Sequence, residues 1–354
     1  MILKEINCLP FSLNLNAPFQ SSLINIGERK GFYVVSEDQS GRKGYGECSP
    51  LHGFSRDSLD DTRRVFEELK GKITVQELGN DLGSLKDALS GFNLSPSLAF
   101  AIEQSLMSLF LQSGRNLFDG YFGRSASLIA VNAVIGFGTD GSIINLIKEK
   151  LLAGYTVFKI KVGRESFEDD YSLLNKIRTR FGETIKLRLD ANRKWSFDCA
   201  AKNLSELKGF NIEYIEEPFD LNSNPPALND LSIPVAADES AGSFDNALRI
   251  INDSSIEYII LKPMILGGIY SSFEIIKRAE KLDKKVILSS SFESGIGKSA
   301  LVMLASLTGH SFAHGLDTDS RFNQDIYTDP YPVNGGVIQF DSESYPPNFD
   351  LRLK

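Results

Sequence analysis

The sequence predicts an α/β protein in which a (β/α)8-type barrel follows a smaller α+β unit. Three observations predict it. From about residue 127, short apolar strands alternate with helical runs at the length of one βα unit, a fold-level repeat. Eight such strands can be read, the number that closes a parallel barrel. The N-terminal third lacks this alternation and places strands before helices, as α+β units do.

The elements follow in order. Residues 31–36 (GFYVVS) and 44–48 (GYGEC) are strand-like, and the polar stretch between them contains Gly41, so they read as a hairpin with a longer loop. Residues 55–70 open with Ser55 and acids, then carry Leu59, Val65, Phe66 and Leu69 at helical spacing. Residues 96–112 begin with Pro96 and carry a wide apolar stripe, which predicts a half-buried helix. The repeat strands are 128–137, 157–163, 185–192, 213–219, 234–240, 257–265, 285–294 and 314–318, with helices such as 140–154 and 269–282 between them. The tail is rich in Pro, Asn and Asp and is expected to fold back as irregular structure. An open doubly wound sheet is the alternative, but no strand leads into a Gly-rich dinucleotide fingerprint and no phosphate loop occurs.

Composition excludes several function classes. The chain has 354 residues, 42% of them apolar and 24% charged, ordinary values for a globular protein. Its net charge of −8 gains nothing from phosphate neutralisation or an anionic bilayer, so neither nucleic acid nor a membrane is expected as a partner. The three cysteines, Cys8, Cys48 and Cys199, are too scattered for a disulfide framework or a zinc cluster. With no apolar run of membrane-spanning length and an acid at Glu5, a cytoplasmic location is expected.

Buried barrel strands avoid charge, yet the second to seventh strands here carry it near their C-terminal ends, the face where such barrels hold active sites. The second has Lys159 and Lys161, the third Arg188 and Asp190, the fourth Glu216, the fifth Asp238, the sixth Lys262, and the seventh Glu293 after Ser289, Ser290 and Ser291. Residues i and i+2 share a strand face, so Lys159 points with Lys161 and Arg188 with Asp190, both pairs toward the barrel mouth. Asp190, Glu216 and Asp238 come from three successive strands. Their convergence calls for a hard divalent cation, and oxygen donors suit Mg2+. Lys161 and Lys262 fall on opposite sides of an eight-stranded barrel, flanking the trio. A substrate carboxylate held by the metal would then have a lysine on each side of its α-carbon, an arrangement for α-proton abstraction with the enediolate charge stabilised by the cations.

The motifs FKIKVG (158–163), LRLDANRKW (187–195), YIEEPF (214–219), AADES (236–240) and ILKP (260–263), in this order, resemble the enolase superfamily and its muconate-lactonising-enzyme subgroup. Such sites use a Lys or His base with Mg2+. The resemblance spans nearly the whole chain. It implies an α+β capping domain (1–125), a modified (β/α)7β TIM-type barrel (126–320) and a tail returning to the cap (321–354). GECSPLHGFSRDSL (46–59), LRLDANRKW and SSSFESGIG (289–297) are similar to the o-succinylbenzoate synthase family. That family comprises carbon–oxygen lyases of menaquinone biosynthesis, which dehydrate 2-succinyl-6-hydroxy-2,4-cyclohexadiene-1-carboxylate. The resemblance implies Mg2+ on Asp190, Glu216 and Asp238, Lys161 as base, Lys262 as electrostatic stabiliser, and Lys159 lowering the pKa of Lys161. It further implies Arg188 and Ser289–Ser291 orienting a small carboxylate substrate, and the loop 55–59 closing over the mouth.

The rival reading is a dipeptide epimerase, which uses the same lysine pair and holds the substrate ammonium with an Asp-x-Asp motif on the eighth strand. Asp317 and Asp319 match that motif formally. N-succinylamino acid racemase activity is a further alternative on the same residues. A barrel serving only as a binding module would have lost a lysine or a metal ligand, and all five are present. No oligomeric interface is legible.

Overall fold

The computed structural model describes residues 2–20, 25–73, 81–115, 117–118, 120–223, 228–317, 322 and 329–349. The chain opens with a three-stranded antiparallel sheet of β1 (Leu3–Gln20), β2 (Asn25–Asp38) and β3 (Lys43–Cys48), with β2 central. The expected hairpin is β2–β3, paired from Phe32↔Cys48 to Glu37↔Lys43. β1 was not anticipated. Phe11, Leu13 and Leu15 alternate inward along it, but a register shift between Leu3 and Glu5 breaks the pattern near its start.

Three helices follow, α1 (Leu59–Ile73), α2 (Leu82–Ser90) and α3 (Pro96–Gln112). α3 has the predicted bounds but is buried all round from Ser97 to Phe110 rather than on one face. One side lies on β2 and β3 and another on the barrel helices, so even Glu103 and Gln104 are enclosed. The sheet approaches α3 closely because Gly44 and Gly46 lack side chains. A Cβ at either would sit 2.0 Å from the Ser105 carbonyl oxygen or 1.9 Å from that of Ala101.

The strand–helix repeat then unfolds as β4 (Leu128–Ala130), β5 (Ala133–Ile135), α4 (Asp140–Leu152), β6 (Val157–Lys161), α5 (Phe167–Phe181), β7 (Lys186–Asp190) and α6 (Phe197–Leu207). It continues through β8 (Ile212–Glu216), β9 (Val235–Ala237), α7 (Phe244–Ile251), β10 (Tyr258–Leu261), α8 (Pro263–Leu266), α9 (Ile269–Lys281), β11 (Lys285–Leu288) and α10 (Gly295–Ser306). β5 to β11 form one sheet in sequence order, and every pair in it is parallel. The eighth strand is reduced to parallel bridges Ser289↔Gly315 and Val131↔His314, which link the sheet's two edges and close the ring.

The predicted first strand, 128–137, is two strands. β4 leaves the barrel and pairs antiparallel with β12 (Val337–Gln339) of the tail. That tail strand was expected to be irregular. Further on, Phe349 packs edge-on against Tyr45, 5.9 Å between ring centres, in an apolar cluster with Phe11, Leu13 and Tyr33. No described helix is long and apolar enough to cross a membrane.

Candidate active site at the barrel mouth

Apolar and charged residues alternate along β6. Phe158 and Ile160 pack outward, fully buried, and leave Lys159 and Lys161 for the barrel interior. Register aligns Lys161 with Asp190 and Asp190 with Glu216, the last residues of β6, β7 and β8. Asp238 follows β9 directly. Lys262 follows β10, held extended ahead of Pro263. Lys161 and Lys262 stand four strands apart in a ring of eight, and so on opposite walls.

Each carboxylate of the predicted trio meets a lysine. Lys161 Nζ lies 2.7 Å from Asp190 and 2.5 Å from Asn192 Oδ1. Lys159 Nζ lies 2.8 Å from Glu216 and 3.5 Å from Asp190. Lys262 Nζ contacts both Asp238 oxygens, at 2.6 and 2.5 Å, with the Phe54 ring of the loop after β3 centred 5.3 Å away. Burial pushes the Glu216 carboxyl up to about 7; Lys159 pulls it down, while the Asp190 and Asp238 charges push it further up. Burial also opposes ionisation of Asp190, but Lys161 and Lys159 hold it at about 2. Burial disfavours the Lys159 and Lys262 ammonium groups, yet their acidic neighbours raise both above the ordinary lysine value.

Among the described residues, no three carboxylate, imidazole or thiolate groups stand around a common point as metal ligands must. The predicted trio fits a divalent ion in donor chemistry: hard, buried oxygens from adjacent strands, where burial first, and then the Asp190 and Asp238 charges, raise Glu216. With each oxygen set engaged by an ammonium group, a metal ion would replace contacts that the lysines now make.

The remaining predicted residues divide. Arg188 requires a correction. β8 carries an extra residue opposite it, which brings Glu213 to the barrel floor. The fully buried guanidinium turns there, donating to Glu213 (2.6 Å), Asn132 (3.2 Å) and the Ala313 carbonyl (2.6 Å), with its centre 4.7 Å from that of the Tyr214 ring. It therefore does not face a substrate at the mouth. Ser290 is also turned away, donating to Glu293 at 2.6 Å and accepting from the Phe292 amide. The Ser291 hydroxyl is buried without a partner among the described residues. Ser289 follows the inward alternation set by Ile287. Asp317 is engaged by Lys150 at 2.9 Å, and Asp319 lies outside the described residues.

Two acids that the sequence places beside the site, Glu217 next to Glu216 and Glu47 in the N-terminal sheet, serve as its supports. Glu217, in the left-handed region at φ 38°, accepts from the Asp238 amide (3.0 Å), the Ser240 amide (2.6 Å) and Arg193 (3.0 Å), fixing the turn that carries Asp238. Glu47 of β3 caps α10, accepting from the Ser294 hydroxyl (2.6 Å) and the Gly297 amide (3.0 Å), and so ties the N-terminal sheet to the end of the serine turn.

Residues 143–344 match the family model described as Enolase C-terminal domain-like. The chain is 29% identical over 344 residues, 96% of its length and 91% of the other's, to a D-Ala-D/L-Ala epimerase of Cytophaga hutchinsonii. It is 27% identical over 345 residues, 87% of its length and 92% of the other's, to an o-succinylbenzoate synthase of Desulfotalea psychrophila. A solved dipeptide epimerase from Cytophaga hutchinsonii, complexed with Mg and D-Ala-L-Val, superposes with a TM-score of 0.85 at 25% identity, covering 96% of this chain and 93% of that one. A family match over more than half the chain, with the parallel barrel and its charged strand ends, places this protein in the enolase superfamily, within the Enolase C-terminal domain-like family.

Proposed function

We propose that the chain is a Mg2+-dependent o-succinylbenzoate synthase of the cytoplasm. It would act in menaquinone biosynthesis on a small carboxylate, 2-succinyl-6-hydroxy-2,4-cyclohexadiene-1-carboxylate, with no nucleic acid or membrane partner. The observation that carries the choice is the Lys150–Asp317 ion pair. The first acid of the motif that would hold a dipeptide's ammonium is already matched by a cation of the chain, which supports a substrate without an amine at Asp317. The SSSFES turn supports the same choice.

In this reading Asp190, Glu216 and Asp238 would hold Mg2+, which supplies positive charge against the substrate carboxylate when bound. Lys161, as a neutral amine, takes the α-proton, and the resulting ammonium returns it to the hydroxyl leaving from the same face, so the net loss is one water. Lys262, on the opposite wall, remains an ammonium and stabilises the negative charge that develops between the two steps. The ring becomes aromatic as water departs, so the chemistry asks little of pocket shape.

Dipeptide epimerisation is the second reading, favoured by the 29% identity to the D-Ala-D/L-Ala epimerase; there Lys262 would donate a proton to the opposite face. Racemisation of N-succinylamino acids would use the same pair. The test is an assay of the purified protein with Mg2+. Conversion of the cyclohexadiene to its aromatic product supports the synthase, and deuterium exchange into dipeptides without dehydration rejects it.

A further inference from the structure

Beside Lys262 the mouth opens into a cavity of about 320 Å3, within the size range of small-molecule sites. It lies between the barrel rim and the loop that follows β3. One wall is apolar, with Phe54, Ile260 and Leu266 among its residues. Three cations also line it, Lys262, Arg193 and Arg56. Lys262 is matched by Asp238. Arg193 is matched by Glu217 at 3.0 Å and Asp220 at 3.4 Å, and bonds Ser240. The two lining acids are engaged as well, Asp238 by Lys262 and Glu239 by Asn192 at 2.9 Å. Arg56 alone of these charges makes no hydrogen bond or ion pair with a described residue. It sits two residues after Phe54, whose ring covers the Lys262 ammonium, so the loop that delivers it is docked on the site. The cavity thus offers an aliphatic slot that begins at a proposed catalytic lysine and carries an unmatched guanidinium in its wall.

We propose that this cavity is a subsite for a second carboxylate, carried on a short aliphatic arm of the substrate, and that Arg56 is its specificity-determining residue. The inference rests on the reading that the reacting carbon lies between Lys161 and Lys262. A guanidinium presents paired donors that match a carboxylate in two parallel hydrogen bonds, while the apolar wall takes the methylenes that connect the two ends. Because Arg56 is exposed at the rim, the charge-assisted contact is expected to give about a tenfold preference, not the larger factor of a desolvated pair.

The probes are o-succinylbenzoate, with two carboxylates, and 2-butanoylbenzoate, in which a methyl group replaces the distal carboxylate. Dissociation constants are measured by calorimetry with Mg2+ present, for the wild-type protein, Arg56→Met and Arg56→Lys. The wild type should bind the diacid about tenfold more tightly, Arg56→Met should bind both probes alike, and Arg56→Lys should keep part of the preference. Equal binding of the two probes by the wild type, an undiminished preference in Arg56→Met, or no binding of either probe by the wild type would each overturn the subsite. Its failure is distinguishable from failure of the synthase reading. A protein that does not dehydrate the cyclohexadiene, yet prefers the diacid through Arg56, keeps the subsite and loses the synthase; one that dehydrates it while Arg56→Met behaves as wild type does the reverse.

Discussion

Glu103 offers a direct test of how the N-terminal unit is seated on the barrel. It lies in the middle of α3, 1% exposed, and its carboxylate accepts from the Tyr270 amide at 2.9 Å, at the start of α9. Gly268, at φ 112°, lies so close that a Cβ there would stand 2.4 Å from Glu103 Oε2, so the contact needs a glycine for both space and backbone. Burial pushes the Glu103 carboxyl up to about 7 from an ordinary 4.5, against the pull of the Tyr270 amide and the Lys86 charge. Between those two pH values the unfolded chain has released a proton that the folded chain keeps. Stability contributed by the neutral form is therefore full below pH 4.5 and is lost as pH rises to about 7. At 1.36 kcal/mol per pH unit, the loss amounts to about 3 kcal/mol. Glu103→Gln keeps an acceptor for the Tyr270 amide and removes the ionisation. Its urea midpoint should match the wild type near pH 4 and exceed it increasingly toward pH 8, with a gain on the order of 3 kcal/mol. Glu216 and Glu217, which burial also lifts to about 7, titrate in both proteins and cancel in the difference. Parallel pH profiles for the two proteins, or a variant less stable at pH 8, would refute the reasoning.

Two further outcomes are expected. Lys161→Ala should abolish turnover while the far-UV circular dichroism and thermal midpoint stay near wild type, because the side chain reaches the open mouth and leaves the packed outer face of β6 intact; near-normal turnover would remove it as the base. Asp238→Asn should raise the Mg2+ concentration for half-maximal activity by about tenfold or more, since one anionic donor of three is lost, and an unchanged metal dependence would exclude Asp238 as a ligand.

The barrel was legible because parallel strands buried on both faces read as apolar runs, and because Lys161, Asp190 and Glu216 are charges at strand ends, where apolar packing alone would not put them. What alternation could not give is depth. It assigns a residue to the inner face without saying whether its side chain rises to the mouth or falls to the floor. Arg188 shares its inner face with Asp190, one step lower on β7, and at that height the nearest acid is Glu213, brought inward by the extra residue of β8. A guanidinium so deep can be held only where it meets a counter-charge and carbonyls, so it turns down to Glu213 and Ala313 and leaves the mouth to Asp190. Lys159 occupies the same lower layer but finds Glu216 above it and turns up. Two inward cations on neighbouring strands, paired in register, thus reach opposite ends of one barrel, and a bulge that leaves no mark in the strand's own periodicity decides which. The burial of α3 escaped for a related reason: an apolar stripe counts one covered face, whereas the second cover comes from helices more than a hundred residues further along the chain.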